Sequence, residues 1–438
     1  MAALRAQSGV ASPPDVTRCA SQVIVIGSSS RGGSSIFAEV LRNSRRMLHL
    51  RAEINPFFRL HGVDDPQSDA LVADTPVPAA LGQELGWDCG WPTNTLQGEA
   101  DEWRFSVEIA VRLTLQWPSL SFDADTVHRC VKSVLRELRQ NHGWPPGLFA
   151  DPPHFHARLI SALRVHWPDI QPAAYDLDQR LMAALGAGAV SGPVSGPVSG
   201  PVDFVPRGIL EEPPFVLTGP WVVADEERLA AHPLVIKTPS NAYRLDWLRR
   251  VFASARLRVL HLTRNVGASV NGLYDGWRHP GFHSHEVGGL NISGYTGVVA
   301  GADRWWKFDR PVDWQQYASA PLEQVCAFQW RSAHAALLAD ARVPGREAAF
   351  RLRFEDALGP LHRQRPALDA LEQWLGLPVA AELSAVLSGA LPLVMATAQP
   401  RQRRWFARIG LLASVLADPA NLSIMKELGY DADPETWE

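Results

Sequence analysis

The chain has 438 residues, of which 46% are hydrophobic and 20% are charged. This composition is able to form a large core and argues against a disordered protein. The 42 lysines and arginines are balanced by 46 aspartates and glutamates, and the formal net charge of −4 argues against a general nucleic-acid binder. The 4 cysteines are widely spaced without a CxxC pair, so neither a disulfide framework nor a zinc site is indicated.

Residues 1–20 are rich in small residues and proline, and we expect them to form a loose leader before one domain that spans 21–438. The leader lacks the continuous apolar stretch of a secretory signal peptide. The longest apolar runs, such as 23–26, are far too short to span a bilayer. The sequence therefore predicts a soluble, cytoplasmic protein with no membrane or nucleic-acid partner, and it leaves the oligomeric state open.

A strand, a glycine- and serine-rich loop and a helix are predicted in this order within SQVIVIGSSSRGGSSIFAEVLRNSRRM. This order is the usual opening of an α/β fold. Residues 61–232 then have the pattern of a mainly helical insertion. The repeat VSGPVSGPVSGPV at 190–202 has no apolar periodicity and predicts a flexible loop.

The α/β pattern resumes at residue 234. PLVIKTP, LRVLHLTRN and AFRLRFED predict three further strands, with helical segments between them and a loop-rich region at 279–320. Strands that alternate with helices form parallel sheets covered on both faces. The fold class is therefore expected to be α/β, with a three-layer parallel sheet flanked by helices and interrupted by the helical insertion.

The loop Gly27–Ser35 follows the first predicted strand and opens a helix. Such a loop directs backbone N–H groups and the positive end of a helix dipole at one point, as in a phosphate or sulfate cradle. Compared with a P-loop, it has Gly33 where lysine is required, and Arg31 supplies a positive charge instead. An ordinary strand–helix turn is the alternative interpretation of this loop alone.

A second basic residue, Arg264, comes just after the predicted strand LRVLHLT. The carboxyl edge of an α/β sheet is where ligands bind, and an arginine there is able to make a forked contact with a phosphate. Taken alone, a surface ion pair is the commoner role for such an arginine.

Four segments in the right order resemble the P-loop-like sulfotransferases that use 3′-phosphoadenosine 5′-phosphosulfate (PAPS). IVIGSSSRGGSSIFAEVLR resembles their 5′-phosphosulfate loop in the arginine form of bacterial members. VIKTPSNAYRLDWLRRVFASARLRVLHLTRNVGASVNGLYDGW resembles the segment that ends in their 3′-phosphate site. FRLRFEDAL and IMKELGYD are similar to their late strand and C-terminal helix. The resemblance covers 23–60 and 233–438, and leaves the insertion without a counterpart.

The resemblance implies a P-loop-like fold, PAPS as the sulfuryl donor, 3′,5′-adenosine bisphosphate (PAP) as product, and no metal. It implies that Arg31 contacts the 5′-phosphosulfate and Arg264 the 3′-phosphate. The serine expected eight residues after that arginine is Gly272 here. Ser269 or Asn271 is therefore expected to make the second 3′-phosphate contact. The remaining donor-binding residues are expected to be Gly32, Gly33, Ser34 and Ser35.

Lys237 ends the strand PLVIK and is one of only four lysines in the chain. In the sulfotransferases that this chain resembles, the lysine of a Lys-x-Pro motif lies near the transferring sulfuryl group. We therefore expect Lys237 to stabilise the transition state. A solvated lysine at a strand end is the alternative.

Glu53 is the preferred base for the acceptor hydroxyl group. A glutamate in a similar place is the base in arginine-loop sulfotransferases, and burial raises the pKa of a carboxyl group toward the range that a general base needs. A surface glutamate is the alternative. Histidine is the base in other branches of the family, which keeps four candidates open: His49, His61, His283 and His285.

Two further segments lie near the predicted site. HPGFHSHEVGG is expected to form an acceptor-side lid rather than a metal site. RQRRWFAR at 401–408 is expected either to close over the nucleotide or to be a solvated helix face. The tryptophan-rich stretch DRWWKFD is interpreted mainly as core.

The sequence therefore predicts a sulfotransferase that moves a sulfuryl group from PAPS to a hydroxyl group of an acceptor, with a small-molecule specialised metabolite as the expected acceptor. A P-loop nucleotide kinase or NTPase is one alternative, and it requires a lysine before Ser34. A non-catalytic nucleotide-binding module is the other. It would be favoured if Arg31, Lys237 and Glu53 pointed away from the loop.

Overall fold

A computed structural model describes residues 1–63, 65, 67–71, 74–177, 181–182, 210–279, 281–389, 394–397, 401–431 and 433–437. The loop predicted at 190–202 lies outside these residues. The strands are β1 (Gln22–Gly27), β2 (Leu48–Leu50), β3 (Cys89–Pro92), β4 (Trp221–Val223), β5 (Leu234–Lys237), β6 (Arg256–Thr263), β7 (Ser284–Glu286), β8 (Trp305–Lys307) and β9 (Phe350–Arg353). The α-helices are Ala2–Ala6, Val16–Cys19, Ser34–Leu41, Asn55–Leu60, Leu81–Asp88, Gly98–Gln116, Ala124–Asn141, Pro152–Arg164, Glu226–Ala231, Leu245–Val251, Val266–Arg278, Leu322–Ala341, Phe354–Ala357, Leu361–Leu375, Ala380–Leu387, Ile409–Leu416 and Pro419–Glu427.

Seven strands form one sheet in the order β4-β3-β2-β5-β1-β6-β9. The five strands from β2 to β9 in this order are mutually parallel, which confirms the predicted α/β fold. The insertion is not purely helical, because its strands β3 and β4 extend the sheet in antiparallel pairing beyond β2. These two strands have only four and three residues, too few for a periodic pattern to predict them.

Side chains alternate between the two faces of the sheet and create two apolar cores. Val23 and Val25 of β1 belong to one core, which the helices Leu245–Val251 and Leu322–Ala341 cover. Ile24 and Ile26 belong to the other core, which is covered by the helices Ser34–Leu41, Leu361–Leu375 and Ala380–Leu387. A parallel sheet with helices on both faces is a three-layer arrangement, as the sequence predicted.

The insertion has an apolar core of its own. The helices Gly98–Gln116, Ala124–Asn141 and Pro152–Arg164 pack their buried faces together in a separate cluster. A buried ion pair joins the Nε of Arg112 to a carboxylate oxygen of Glu211 at 2.7 Å. Since Glu211 follows the insertion's helices in the chain, this pair fixes the returning segment against them.

Residues 1–20 are not the loose leader that the sequence predicted. Their helix Val16–Cys19 places Val16 in the apolar core of the sheet, together with Ala20. The buried Arg5 forms an ion pair with Glu84. Composition alone did not reveal that these few apolar side chains dock. Within the described residues, no helix combines the length and apolarity that crossing a membrane requires.

The strand order brings the predicted site residues to one edge of the sheet. The parallel strands β2, β5, β1, β6 and β9 are neighbours, so their carboxyl ends lie side by side. Glu53 follows β2, Lys237 ends β5, Arg264 follows β6, and Glu355 follows β9. The loop after β1 lies between Lys237 and Arg264. Sheet topology therefore gathers residues from five distant parts of the chain.

Candidate active site

A cavity of about 480 Å³ opens at this edge of the sheet. Its volume lies in the range of small-molecule and cofactor sites. Most of the predicted site residues line it: Arg31, Gly33, Ser34, Ser35, Glu53, Lys237, Arg264, Asn271, His283 and His285. Gly32, Ser269, His49 and His61 are not among the lining residues.

The loop after β1 has the backbone of an anion cradle. Arg31 and Gly33 both adopt left-handed conformations, with φ of 61° and 95°. The helix Ser34–Leu41 starts immediately afterwards, and the N–H groups of its first turn have no carbonyl one turn earlier to bind. The predicted role of Gly32 needs correction, because its N–H donates to the Ser29 carbonyl at 3.0 Å and closes the turn.

Gly33 shows why this loop has no P-loop lysine. A Cβ atom at this position would overlap the ring of Phe354, and the φ of +95° strains any residue other than glycine. A lysine at position 33 would therefore require the late-strand segment that carries Phe354 to move. The arginine form of the loop avoids this conflict by placing its cation two residues earlier.

We expect Gly33→Ala to lower the free energy of unfolding by about 3 kcal/mol, from left-handed strain together with overlap on Phe354. Gly288→Ala is the matched control. Gly288 is exposed at φ +70°, with no neighbouring atom within 4 Å of its added Cβ, so only strain of about 1 kcal/mol is expected. Urea denaturation of both variants measures the difference. Equal losses would contradict the contact with Phe354.

Two half-buried arginines form the cationic half of the cavity. The Arg31 guanidinium donates to the Met395 carbonyl at 2.7 Å and lies 4.8 Å from the Phe282 ring centroid. That of Arg264 lies 4.5 Å from the Phe354 centroid. Burial and the nearby Arg264 lower the pKa of Arg31 to about 10, and burial also lowers the pKa of Arg264. An anion would stabilise both cations.

Both arginines also have unused hydrogen-bonding capacity. Among the described residues, the Nε atoms of Arg31 and Arg264 are buried without a hydrogen-bond partner. The hydroxyl groups of Ser28 and Ser29 in the same loop are equally unpartnered there. Ser28 and Ser29 do not line the cavity, whereas both arginines do, so the two Nε atoms are the ones that a polar ligand in the cavity would satisfy.

The helix after β6 presents Ala268, Asn271 and Gly272 to the cavity. These residues are spaced i, i+3 and i+4 and share one helix face. The side-chain oxygen of Asn271 accepts from Arg408 at 2.7 Å. Ser269 was predicted as an alternative ligand, but it is fully buried about 100° around the helix from Ala268. Of the two residues predicted for the second phosphate contact, only Asn271 therefore faces the cavity.

The basic run at 401–408 forms part of the cavity wall. Arg404 and Arg408 are ion-paired with the two carboxylate oxygens of Asp275 at 2.7 and 2.6 Å. Trp405 is buried, and its ring leaves no room for a side chain at Gly267. The sequence left two interpretations of this run open. In the structure it closes one side of the cavity and is not a solvated helix face.

Lys237 and Glu53 lie on the other side of the loop. The Lys237 ammonium donates to the Ser35 hydroxyl at 2.8 Å and also to the Glu53 carboxylate. Their side chains are 11% and 24% exposed, so Glu53 is half-buried, between the buried carboxylate and the surface glutamate that the sequence left open. The Lys237 ammonium lies beside the loop after β1, and its partner carboxylate reaches the cavity. The pair therefore provides a cation and a proton acceptor at adjacent positions.

The four histidine candidates divide into two pairs. His49 is buried within β2, and neither it nor His61 lines the cavity. His283 and His285 do line it, on the segment that forms the β7–β8 hairpin. Burial lowers the pKa of His283 to about 4 and that of His285 well below its usual value. Both are therefore neutral imidazoles near pH 7.

His49 provides a test of the fold's pH dependence. Burial, with a contribution from Arg42, lowers its pKa to about 3. The unfolded chain binds a proton near pH 6.5, so stability is present above that pH and is lost as the pH falls toward 3. Between about pH 7.5 and about pH 5, titration of His49 should lower the free energy of unfolding of the wild-type protein by about 2 kcal/mol. In His49→Gln, this part of the pH dependence should be absent.

Urea denaturation at both pH values measures this change, with His166→Gln as the control at an exposed position. An unchanged pH dependence in His49→Gln would contradict the neutral, buried state of His49.

The tryptophan-rich stretch contains a site residue that the sequence interpretation missed. Asp309 is buried and lines the cavity. The hydroxyl groups of Ser30 and Tyr243 each donate to one of its carboxylate oxygens, both at 2.6 Å. Burial raises the pKa of Asp309 to about 6. The available signal was an acidic residue within an apolar stretch that had been interpreted as core.

Glu355 is a second missed residue, within the quoted segment FRLRFEDAL. One carboxylate oxygen accepts from the backbone N–H of Asn265 at 2.9 Å, and the other accepts from Tyr430 at 2.8 Å. Asn265 caps the helix after β6 and directly follows Arg264. Glu355 therefore fixes the chain at the point where Arg264 enters the cavity. Among the described residues, no group of three acidic, histidine or cysteine side chains is arranged to hold a metal ion.

No protein-family model matches the chain, and no curated protein matches its sequence. Three solved structures are similar at low identity. The sulfotransferase domain from the curacin biosynthetic pathway matches 94% of this chain and 99% of its own, at 12% identity and a TM-score of 0.37. The sulfotransferase domain from the Synechococcus PCC 7002 olefin synthase matches 94% and 96%, at 10% identity and a TM-score of 0.33.

Sulfotransferase STF9 from Mycobacterium avium matches 92% of this chain and 78% of its own, at 13% identity and a TM-score of 0.33. TM-scores of this size carry no argument about this chain. Its α/β fold is established by the strand order and the parallel pairing described above.

Proposed function

We propose that this protein is a sulfotransferase that moves a sulfuryl group from PAPS to a hydroxyl group of a small-molecule acceptor, such as a specialised metabolite. The observation that supports this most strongly is the division of the cavity. Two half-buried arginines, Arg31 in the loop after β1 and Arg264 after β6, lie on one side, and the Lys237–Glu53 pair lies on the other. The loop after β1 joins the two sides, because it carries Arg31 and its Ser35 hydroxyl group accepts from Lys237 at 2.8 Å.

PAPS carries two anionic groups and supplies an activated sulfuryl group when it is bound. The residues of the cavity suit such a donor, because Arg31 and Arg264 are separate cations with unpartnered Nε atoms among the described residues. Arg31 and the amides of Ser34 and Ser35 would hold the 5′-phosphosulfate, and Arg264 with Asn271 would hold the 3′-phosphate. The resemblance of the sequence motifs gives the same assignment for Arg31 and Arg264, and leaves Ser269 or Asn271 for the second 3′-phosphate contact.

The paired side chains provide the remaining chemistry. Glu53 takes the proton of the acceptor hydroxyl group while the acceptor oxygen forms a bond to sulfur. The bond between sulfur and the 5′-phosphate oxygen breaks, and its electron pair stays on the phosphate oxygen. Lys237 stabilises the negative charge that develops on the transferring and leaving groups. The balanced products are a sulfate ester, PAP and one proton. Positioning and electrostatics carry the catalysis, as in phosphoryl transfer.

No observation favours either alternative function. A P-loop kinase or NTPase needs the lysine that Gly33 and Phe354 exclude. A non-catalytic module would be favoured if Arg31, Lys237 and Glu53 pointed away from the loop, yet all three line the same cavity.

Isothermal titration calorimetry with PAP and with ATP·Mg²⁺ tests the donor class. We expect PAP to bind to the wild-type protein. In Arg264→Gln, the affinity for PAP should fall about 100-fold, because a charged phosphate contact is lost. Because adenosine 5′-monophosphate lacks the 3′-phosphate, its affinity should remain unchanged. Arg256→Gln is the control, since Arg256 is 61% exposed on the surface. Binding of ATP·Mg²⁺ without binding of PAP would contradict the proposal.

A further inference from the structure

We propose that Asp309 is a positioning residue for the donor loop, which it holds through Ser30 so that Arg31 and the following amides face the 5′-phosphosulfate. This inference rests on the proposed function and adds a residue to it. The motifs that resemble sulfotransferases do not include Asp309. Its assignment depends on contacts between parts of the chain that are far apart in sequence.

The carboxylate of Asp309 connects two segments that follow neighbouring strands of the sheet, β1 and β5. Its Oδ1 accepts from Ser30 in the loop after β1, and its Oδ2 accepts from Tyr243, in the 3₁₀-helix Pro239–Tyr243 that follows β5. Since β5 ends at Lys237, Asp309 links the donor loop to the segment that carries the proposed transition-state lysine.

Asp309 is itself held rigidly. Its backbone carbonyl accepts from the indole N–H of Trp306 at 3.0 Å and from the side-chain amide of Gln329 at 2.8 Å. Its side chain is buried, and both carboxylate oxygens are occupied by hydroxyl donors. A carboxylate fixed in this way is better suited to hold a loop than to accept a proton from a substrate.

The donor loop needs such an anchor because its backbone is strained. Arg31 has a φ of 61°, a conformation that residues other than glycine rarely adopt. A strained residue persists only where its surroundings fix it. Ser30 directly precedes Arg31, so the hydrogen bond from Ser30 to Asp309 sets the direction in which the chain enters this residue. Without it, the loop would relax and Arg31 would turn from its position beside Arg264.

Calorimetric binding of three nucleotides to Asp309→Asn tests the inference: PAP, adenosine 5′-monophosphate and adenosine 3′-monophosphate. An asparagine is uncharged and accepts through only one of its side-chain atoms, so one hydroxyl group loses its acceptor and the other keeps only a neutral one. We expect the affinities for PAP and adenosine 5′-monophosphate to fall about tenfold, the size of one hydrogen bond to a charged group. The affinity for adenosine 3′-monophosphate should stay within twofold, because that ligand does not reach the donor loop.

Two further variants keep the test decisive. Asp313→Asn makes the same substitution at an exposed position four residues away and should change none of the affinities. Ser30→Ala removes only the hydroxyl donor of the loop, so it provides the same test if Asp309→Asn does not fold. In the Ser30→Ala background, Asp309→Asn should cause little further loss, because both changes break the same contact.

The outcomes separate this inference from the proposed function. If the wild-type protein binds PAP and both Asp309→Asn and Ser30→Ala bind it equally tightly, Asp309 has no positioning role although the function stands. If Asp309→Asn lowers the affinities for all three nucleotides equally, the role of Asp309 is structural and the inference is wrong. If the wild-type protein binds no PAP, the proposed function fails and this inference fails with it.

Discussion

Lys237→Met is expected to lower the rate of sulfuryl transfer by about 10²–10³-fold, the usual loss when a group that stabilises transition-state charge is removed. The Lys237 ammonium is held between the Ser35 hydroxyl group and the Glu53 carboxylate, so it is already oriented beside the donor loop. The affinity for PAP should change by less than about threefold, because PAP lacks the sulfuryl group that Lys237 is proposed to contact.

Lys132→Met is the matched control for this substitution. Lys132 forms an ion pair with Glu99 on the surface of the insertion, where both side chains are exposed. Its replacement should leave transfer and PAP binding unchanged. A parallel loss of transfer and of PAP affinity in Lys237→Met would contradict a transition-state role and would indicate that Lys237 binds the nucleotide.

Glu53→Gln is expected to lower the transfer rate by about 10²–10⁴-fold, because glutamine has no carboxylate to accept the acceptor's proton. The loss should be smaller for an acceptor with a more acidic hydroxyl group, which depends less on a base. Initial rates with an aliphatic alcohol and with 4-nitrophenol measure this difference. Glu99→Gln supplies the control at the exposed ion pair.

Full transfer by Glu53→Gln would overturn the assignment of the base. His283 and His285 would then become the candidates, since both line the cavity as neutral imidazoles. His49 and His61 would not, because they do not reach the cavity.

Apolar periodicity predicted the parallel sheet and the edge at which several candidate residues lie, for one physical reason. Apolar runs such as 23–26 and 234–236 identify buried parallel strands, and the carboxyl ends of such strands meet at one edge. Lys237 and Arg264, which end or follow predicted strands, were therefore expected at the same edge, whereas Glu53 was assigned from the family resemblance. Glu53 lies beside Lys237 because β2 is next to β5, and Arg264 lies beside Arg31 because β6 is next to β1.

Other features depend on local geometry that a one-dimensional pattern does not contain. The N–H of Gly32 is used within a turn, and the helix phase turns Ser269 away from the cavity. Asp309 joins segments that are 279 and 66 residues away in the chain, so no spacing rule would have found it. Such contacts require the tertiary structure.

Transfer from radiolabelled PAPS to a mixture of hydroxyl compounds is the most direct test of the proposed activity. The labelled sulfuryl group is followed into products while the release of PAP is measured in the same reaction. The proposed mechanism predicts labelled sulfate esters and PAP in equal amounts with the wild-type protein, and a loss of both with Lys237→Met. Absence of labelled product and of PAP release from the wild-type protein, together with failure to bind PAP, would contradict it.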